Sequence, residues 1–268
     1  MNPKHIETYI EGLHKTVDSK LFFLNKLPDN FFSDPNDPKV VIDLGCGDGT
    51  VLKAIRDREG KYNPITNLVA IDTNPDILEY AKKNLGTDAL YFNSLTEFIQ
   101  FVEKEEWIKQ KKFVLICESV LHEVGSFQFD IMKFALEYCS YFIVRDMYVR
   151  DKDFDDEKTK RICYANIIRY SNTTMLADFI EHYGLNELSL IHYLLKYTYV
   201  ENWKTEVEED YTSVIWFLID TIESECKTII YDNKYLQAWR HNRVLEDFHI
   251  DMNDFCSSTH RELILKLK

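Results

Sequence analysis

The stretch VVIDLGCGDGTVLKAI, residues 40–55, decides how this chain is read. An apolar, β-branched run ends in Asp43, three glycines (Gly45, Gly47, Gly49) fall within five positions, and a helix-like segment follows. Glycines so close together are needed where a chain turns sharply, or where something must approach the backbone too closely for a side chain. A strand, a glycine-rich turn and a helix in succession present backbone N–H groups to a ligand. The spacing is Gly45-x-Gly47-x-Gly49, whereas a dinucleotide fingerprint would need a small third residue where Thr50 stands. The Gly-Lys-Ser/Thr ending of a phosphate-cradling loop is also missing.

On either side of this stretch, short β-branched runs alternate with helix-like segments. Strands are expected at 39–44, 67–72, 89–92, 112–118 and 141–149, with helices at 50–58 and at Pro75–Leu85, the latter stopped by Gly86. Strands alternating with helices imply right-handed crossovers and a parallel sheet. Upstream, 4–27 has helical apolar spacing closed by Pro28, and 33–38 reads as a turn. Beyond 150 the pattern becomes helical to about 225. A strand at 226–232, a helix at 235–248 and a terminal strand at 261–268 follow.

DLGCGDGT resembles motif I of the class I S-adenosylmethionine-dependent methyltransferases, Glu/Asp-x-Gly-x-Gly-x-Gly, at Asp43, Gly45, Gly47 and Gly49. Asp72 ends the second strand 29 residues later, where a carboxylate can accept both hydrogens of a ribose diol. The resemblance implies a Rossmann-like α/β fold: a seven-stranded, mostly parallel sheet with an antiparallel last strand, plus a helical insertion. It implies S-adenosylmethionine as cofactor, held by Asp43, Gly45, Cys46, Gly47, Gly49, Asp72, Thr73 and Glu118. Asn93 or Ser94 would meet the adenine, although the family's usual acid is absent there and Ser94 serves equally as a helix cap.

CESVLHEVGS, 117–126, occupies the family's motif IV position and is similar to the form found in enzymes acting on small molecules. Neither an Asp/Asn-Pro-Pro-Tyr tetrapeptide nor a Pro-Cys nucleophile occurs, which lowers the case for a base-directed DNA enzyme. His122 suits proton acceptance near neutrality, with Glu123 beside it; an orienting or core role is the other reading. Glu118 and His122, four apart, would suit a metal on one helical face, but Glu118 belongs to a strand, so no metal is assigned. In the fifth strand, Arg145 could pair with a substrate carboxylate or phosphate, or Arg145 and Asp146 could neutralise each other or Asp151 and Asp153. Tyr148 completes the catalytic candidates His122, Glu123, Arg145 and Tyr148.

Composition bounds the rest. The 268 residues are 45% hydrophobic with no eighteen-residue apolar run, so a soluble protein without a membrane partner is expected. Six cysteines without a CxxC pair read as free thiols in a reducing, cytoplasmic setting. A net charge of −13 disfavours a large nucleic-acid footprint without excluding a small basic pocket. Residues 151–225 hold seven lysines and arginines against sixteen acids, a cover that would repel phosphate and tolerate an amine. Within them Tyr193, Tyr197, Tyr199, Trp203 and Tyr211 suit a flat or cationic guest, or simply a core. The expected organisation is a helical cap at 1–36, a cofactor-binding core at 37–150, the helical substrate cover at 151–225, and completing strands at 226–268. A small-molecule N- or O-methyltransferase leads. An RNA (tRNA or RNA-end) methyltransferase and a non-catalytic, cofactor-binding partner subunit stay open.

Overall fold

Residues 3–60, 67–151, 157–200, 203–209 and 212–268 are described in a computed structural model of the chain. The apolar runs become seven strands: β1 (Lys39–Leu44), β2 (Leu68–Ile71), β3 (Ala89–Phe92), β4 (Lys112–Glu118), β5 (Cys139–Asp151), β6 (Thr228–Tyr235) and β7 (Cys256–Lys266). They form one sheet in the order β3-β2-β1-β4-β5-β7-β6. Neighbours from β3 through β5 pair in parallel, and β7 runs antiparallel to both β5 and β6. β1 is buried at all six positions because it lies mid-sheet with helices on both faces. The last strand is longer than the apolar run at 261–268 suggests, since the small and polar residues from Cys256 onward continue its pairing with β5.

The helices are α1 (Pro3–Lys20), α2 (Thr50–Glu59), α3 (Pro75–Leu85), α4 (Leu95–Lys104), α5 (Glu106–Lys109), α6 (Gln128–Tyr138), α7 (Glu157–Tyr170), α8 (Thr173–Tyr183), α9 (Glu187–Lys196), α10 (Trp203–Glu209), α11 (Thr212–Ser224), α12 (Ala238–Phe248) and α13 (Met252–Phe255). The helical spacing of 4–27 does not give one helix. α1 ends at Lys20 and a short 3-10 turn, Phe22–Asn25, takes over. α3 begins as its sequence dictates: Asn74 accepts the N–H groups of Asp76 and Ile77, Pro75 follows, and Gly86 closes it.

On one sheet face, Phe23, Leu52, Ile55, Leu78 and Ala81 pack against Val41, Ile116 and Ile143. On the other, Phe98, Phe134, Ile215 and Ile219 pack against Ile42, Leu115 and Val144. α11 therefore belongs to the sheet's own core, although it lies in the segment expected to be an insertion. A separate apolar cluster joins α7–α10 to α12, using Ile167, Phe179, Tyr193, Leu194, Trp203 and Phe248. It rests on Met147, Val149 and Cys256, where β5 and β7 run on past the end of the parallel strands. Tyr193 and Trp203 are thus core aromatics, Tyr197 donates to Asp247 at 2.7 Å, Tyr199 is exposed, and Tyr211 lies outside the described residues. No helix among the described residues is long and apolar enough to cross a membrane.

Candidate active site

In an open α/β sheet the ligand crevice lies beyond the carboxyl ends of the parallel strands. Here those ends carry Asp43 and the glycine loop (β1), Asp72 (β2), Glu118 to His122 (β4) and Arg145 (β5). The loop is pinned to β2 by Gly45 and Cys46, whose N–H groups donate to Ile71 O at 2.8 and 3.0 Å. Gly45 has φ +70°, and a Cβ there would come 2.5 Å from Val120 Cγ2. Gly49 has φ +78°, and a Cβ there would come 2.8 Å from Leu85 Cδ1. Both glycines are therefore required by backbone conformation and by neighbours alike.

Asp72 spans the loop and the next turn. Its Oδ2 accepts the Gly47 N–H at 3.0 Å and its Oδ1 the Asn74 N–H at 2.9 Å. Burial raises its carboxyl pKa, against the lowering effect of these two bonds. Asp43 is 1% exposed, its Oδ2 has no hydrogen-bond partner, and burial pushes its carboxyl up to about 7. Glu118 is 3% exposed with both oxygens unpartnered, and burial holds it well above the usual carboxylate range. Lys20, the last residue of α1, places a compensating positive charge near both acids.

Asp48 fixes the walls. Its buried carboxylate accepts Thr50 Oγ1 at 2.7 Å, lies 2.8 Å from His14 Nε2 of α1 and 3.2 Å from Asn84 Nδ2 of α3. Lys20, His14 and Asn84 carry no sequence signal, because each meets the loop's acids from a distant part of the chain.

At the tip of β4 the backbone breaks sharply. Ser119 adopts φ +58°, a left-handed conformation uncommon for a residue with a Cβ, and donates its N–H to Arg145 O at 2.8 Å. The following 3-10 turn, Leu121–Glu123, is held by Asp146. That fully buried carboxylate accepts the N–H groups of Val120 (3.0 Å), Leu121 (2.7 Å) and Met147 (2.6 Å), and lies 2.6 Å from His122 Nδ1. A carboxylate only accepts, so Nδ1 carries the proton and Nε2 is the basic atom of the ring. Burial alone would lower the His122 pKa, but the Asp146 charge and hydrogen bond outweigh it and raise the imidazole above its ordinary value. The same pairing holds the Asp146 carboxyl low despite its burial.

The remaining candidates fall in different places. Arg145 donates from Nη1 to Ser119 Oγ at 3.1 Å and its Nε has no partner. It does not neutralise Asp146, which serves His122; Asp153 lies outside the described residues. Cys46 is buried within the loop, Thr73 is exposed beside Asp72, and Glu123 is exposed with Oε1 3.6 Å from His122 Nε2. Ser94 is the cap of α4, accepting the Glu97 N–H at 3.1 Å, while the Asn93 N–H donates to Glu97 Oε2 at 2.9 Å. Tyr148 is not brought to the crevice: it is 2% exposed in the core against α11, donating to Asp220 Oδ1 at 2.5 Å. Along a strand successive side chains alternate faces, which separates Tyr148 from Arg145.

Comparison with known proteins supplies the family. The model of the methyltransferase-domain family matches residues 35–178, more than half of the chain. The chain belongs to that family. Its sheet, with one antiparallel strand, is the one expected of the class I S-adenosylmethionine-dependent methyltransferases. Among solved structures, the plantazolicin methyltransferase BpumL in complex with SAH matches with a TM-score of 0.50 at 11% identity, over 100% of this chain and 92% of its own. The plantazolicin methyltransferase BamL, in complex with a triazolic desmethylPZN analogue and SAH, matches with a TM-score of 0.51 at 13% identity, over 100% and 92%. Identities this low carry the fold and nothing of the substrate. No curated protein matches the sequence.

Proposed function

We propose that the crevice binds S-adenosylmethionine and that this methyltransferase modifies N or O of a small-molecule acceptor. The observation that carries the reading is a set of buried acceptors without donors: Asp43 Oδ2 and both oxygens of Glu118. Buried polar atoms are normally satisfied, so these await the hydroxyl and ammonium donors of a polar ligand. The cofactor fits: Asp72 would take the ribose diol through its remaining lone pairs, and Asp43, Glu118 and the glycine loop would line the methionine end. SAH bound in the BpumL and BamL structures supports the same reading.

When bound, S-adenosylmethionine supplies an electrophilic methyl group on a sulfonium. The chain's own part is positioning and proton removal. Asp146 fixes the tautomer and orientation of His122, and His122 Nε2 accepts the proton that an acceptor O–H or N–H loses as it is methylated. Helices α7–α10 and α12 form the cover over this end of the sheet, and α1 closes the opposite wall. The net charge of −13 weighs against an RNA acceptor.

The test is calorimetric titration of the full chain with S-adenosylmethionine and S-adenosylhomocysteine, repeated on Asp72→Ala. Saturable binding, weakened at least tenfold by the substitution, is expected. Folded wild-type protein that binds neither compound would sink the cofactor assignment.

A further inference from the structure

Two consecutive residues of β5 grip the tip of β4 from opposite faces. Side chains alternate along a strand, so Arg145 and Asp146 point to different sides of the sheet. Asp146 takes the Val120 and Leu121 N–H groups and orients His122. Arg145 takes Ser119 twice: its carbonyl oxygen accepts the Ser119 N–H at 2.8 Å, and its Nη1 donates to Ser119 Oγ at 3.1 Å. Ser119 is also the residue with φ +58°. A serine in that left-handed conformation is disfavoured by its own Cβ and persists only where its surroundings hold it.

Ser119 is the hinge between two parts of the crevice. The residue before it, Glu118, ends β4. The residue after it, Val120, lies over the glycine loop, so close that a Cβ on Gly45 would come 2.5 Å from Val120 Cγ2. A change of φ at Ser119 rotates Val120 relative to Glu118 and unseats it from Gly45. Arg145 is in turn fixed by strand register. It lies opposite Glu118 of β4 on one side and Glu262 of β7 on the other, and Glu262 Oε2 accepts from Asn233 Nδ2 of β6 at 3.3 Å. A cation between two acids on neighbouring strands is a favourable cross-strand arrangement. It holds the guanidinium, which is 6% exposed, beneath the turn. Burial raises the Glu118 carboxyl well above the usual carboxylate range, and the Arg145 charge works against that rise.

We propose that Arg145 is a positioning residue for cofactor binding: by clamping Ser119 in its left-handed conformation, it seats Glu118 and Val120 against the glycine loop. The proposal rests on the methyl-transfer reading of the crevice, and it removes Arg145 from the groups that touch the acceptor. The clamp acts through one backbone angle, so tolerance of positive φ at position 119 decides how much Arg145 matters. Glycine adopts positive φ at no steric cost, so Ser119→Gly should make Arg145 largely dispensable. Valine is a genuine outlier there, so Ser119→Val should open the turn even with Arg145 in place.

The probe is S-adenosylhomocysteine, titrated calorimetrically into the full chain. Arg145→Gln should weaken it at least tenfold. Adding Ser119→Gly to Arg145→Gln should recover at least threefold of that loss, while Ser119→Gly alone stays within threefold of wild type. Ser119→Val should weaken binding tenfold or more with Arg145 intact, which tests the clamp even where Arg145→Gln does not fold. Amide hydrogen exchange in the ligand-free chain reads the turn directly. In Arg145→Gln, residues 119–121 should exchange at least tenfold faster, with Val114 and Leu115 of β4 unchanged, which also reports a folded sheet. Unchanged exchange or unchanged S-adenosylhomocysteine affinity in folded Arg145→Gln overturns the proposal. A loss of affinity that Ser119→Gly does not recover overturns it too, because Arg145 would then touch the cofactor itself. Ser119→Val binding as tightly as wild type has the same consequence. A wild-type chain that binds no S-adenosylhomocysteine, while exchange at 119–121 still responds to Arg145→Gln, leaves the clamp on Ser119 standing and strikes the methyltransferase reading instead.

Discussion

His122 Nδ1 lies 2.6 Å from Asp146 Oδ1, and the carboxylate that orients the imidazole also accepts the N–H groups of Val120 and Leu121, the two residues before it. One buried acid thus shapes the turn and sets the proton on the ring. Asp146→Asn keeps the size but loses the charge that outweighs burial, so the raised His122 midpoint should fall. NMR titration of the His122 ring proton reads this without an acceptor. A midpoint unmoved by the substitution would remove Asp146 as the positioning group. Once an acceptor is found, His122→Gln should cost about 10²–10⁴ in turnover if the imidazole is the base.

Asp43 sets a pH dependence of opposite sign to a salt-bridged acid. Its folded value near 7 lies above its unfolded value near 3.8, so the folded state holds the proton more tightly between them. Stability attributable to Asp43 is lost as pH rises from about 4 to 7 and does not return above that. The loss is on the order of a few kcal/mol. Asp43→Asn should raise the melting temperature at pH 8 yet weaken S-adenosylhomocysteine binding. Wild-type binding near pH 6 should release a proton, read as a dependence of the calorimetric heat on the buffer's ionisation enthalpy.

Gly45→Ala should destabilise the protein by about 1–3 kcal/mol, from a positive φ and the 2.5 Å approach to Val120 Cγ2. Adding Val120→Ala should recover part of that, because it removes the clash and leaves the backbone strain. Thermal unfolding of the single and double variants separates the two causes. A fully neutral Gly45→Ala would contradict both.

Tyr148→Phe should lower stability by about 1 kcal/mol through the lost bond to Asp220 and leave S-adenosylhomocysteine affinity unchanged. A loss of binding with unchanged stability would return Tyr148 to the site.

Beside Tyr148, Arg261 shows how the sheet's other face spends its polar groups. Fully buried on β7, it donates to Asp232 at 2.8 and 2.9 Å and lies 2.7 Å from Glu223 and 3.4 Å from Asp220. Burial alone would lower its pKa, and these acids raise it instead. Its charge is met within the fold.

The sheet and the glycine loop were legible in the order of residues alone. Strand periodicity, the Asn-Pro start and glycine stop of α3, and the spacing of Gly45, Gly47 and Gly49 are local properties, written in residues that touch one another along the chain. Which side chains meet at the crevice depends instead on how the elements pack. Tyr148 and Arg145 look equivalent in IVRDMYV, yet the pleat sends one against α11 and the other toward Ser119. Asp146 serves His122 across 24 residues. The charge that Lys20 sets near Asp43 and the grip of His14 on Asp48 depend on strand register and helix docking, which no single-chain periodicity encodes.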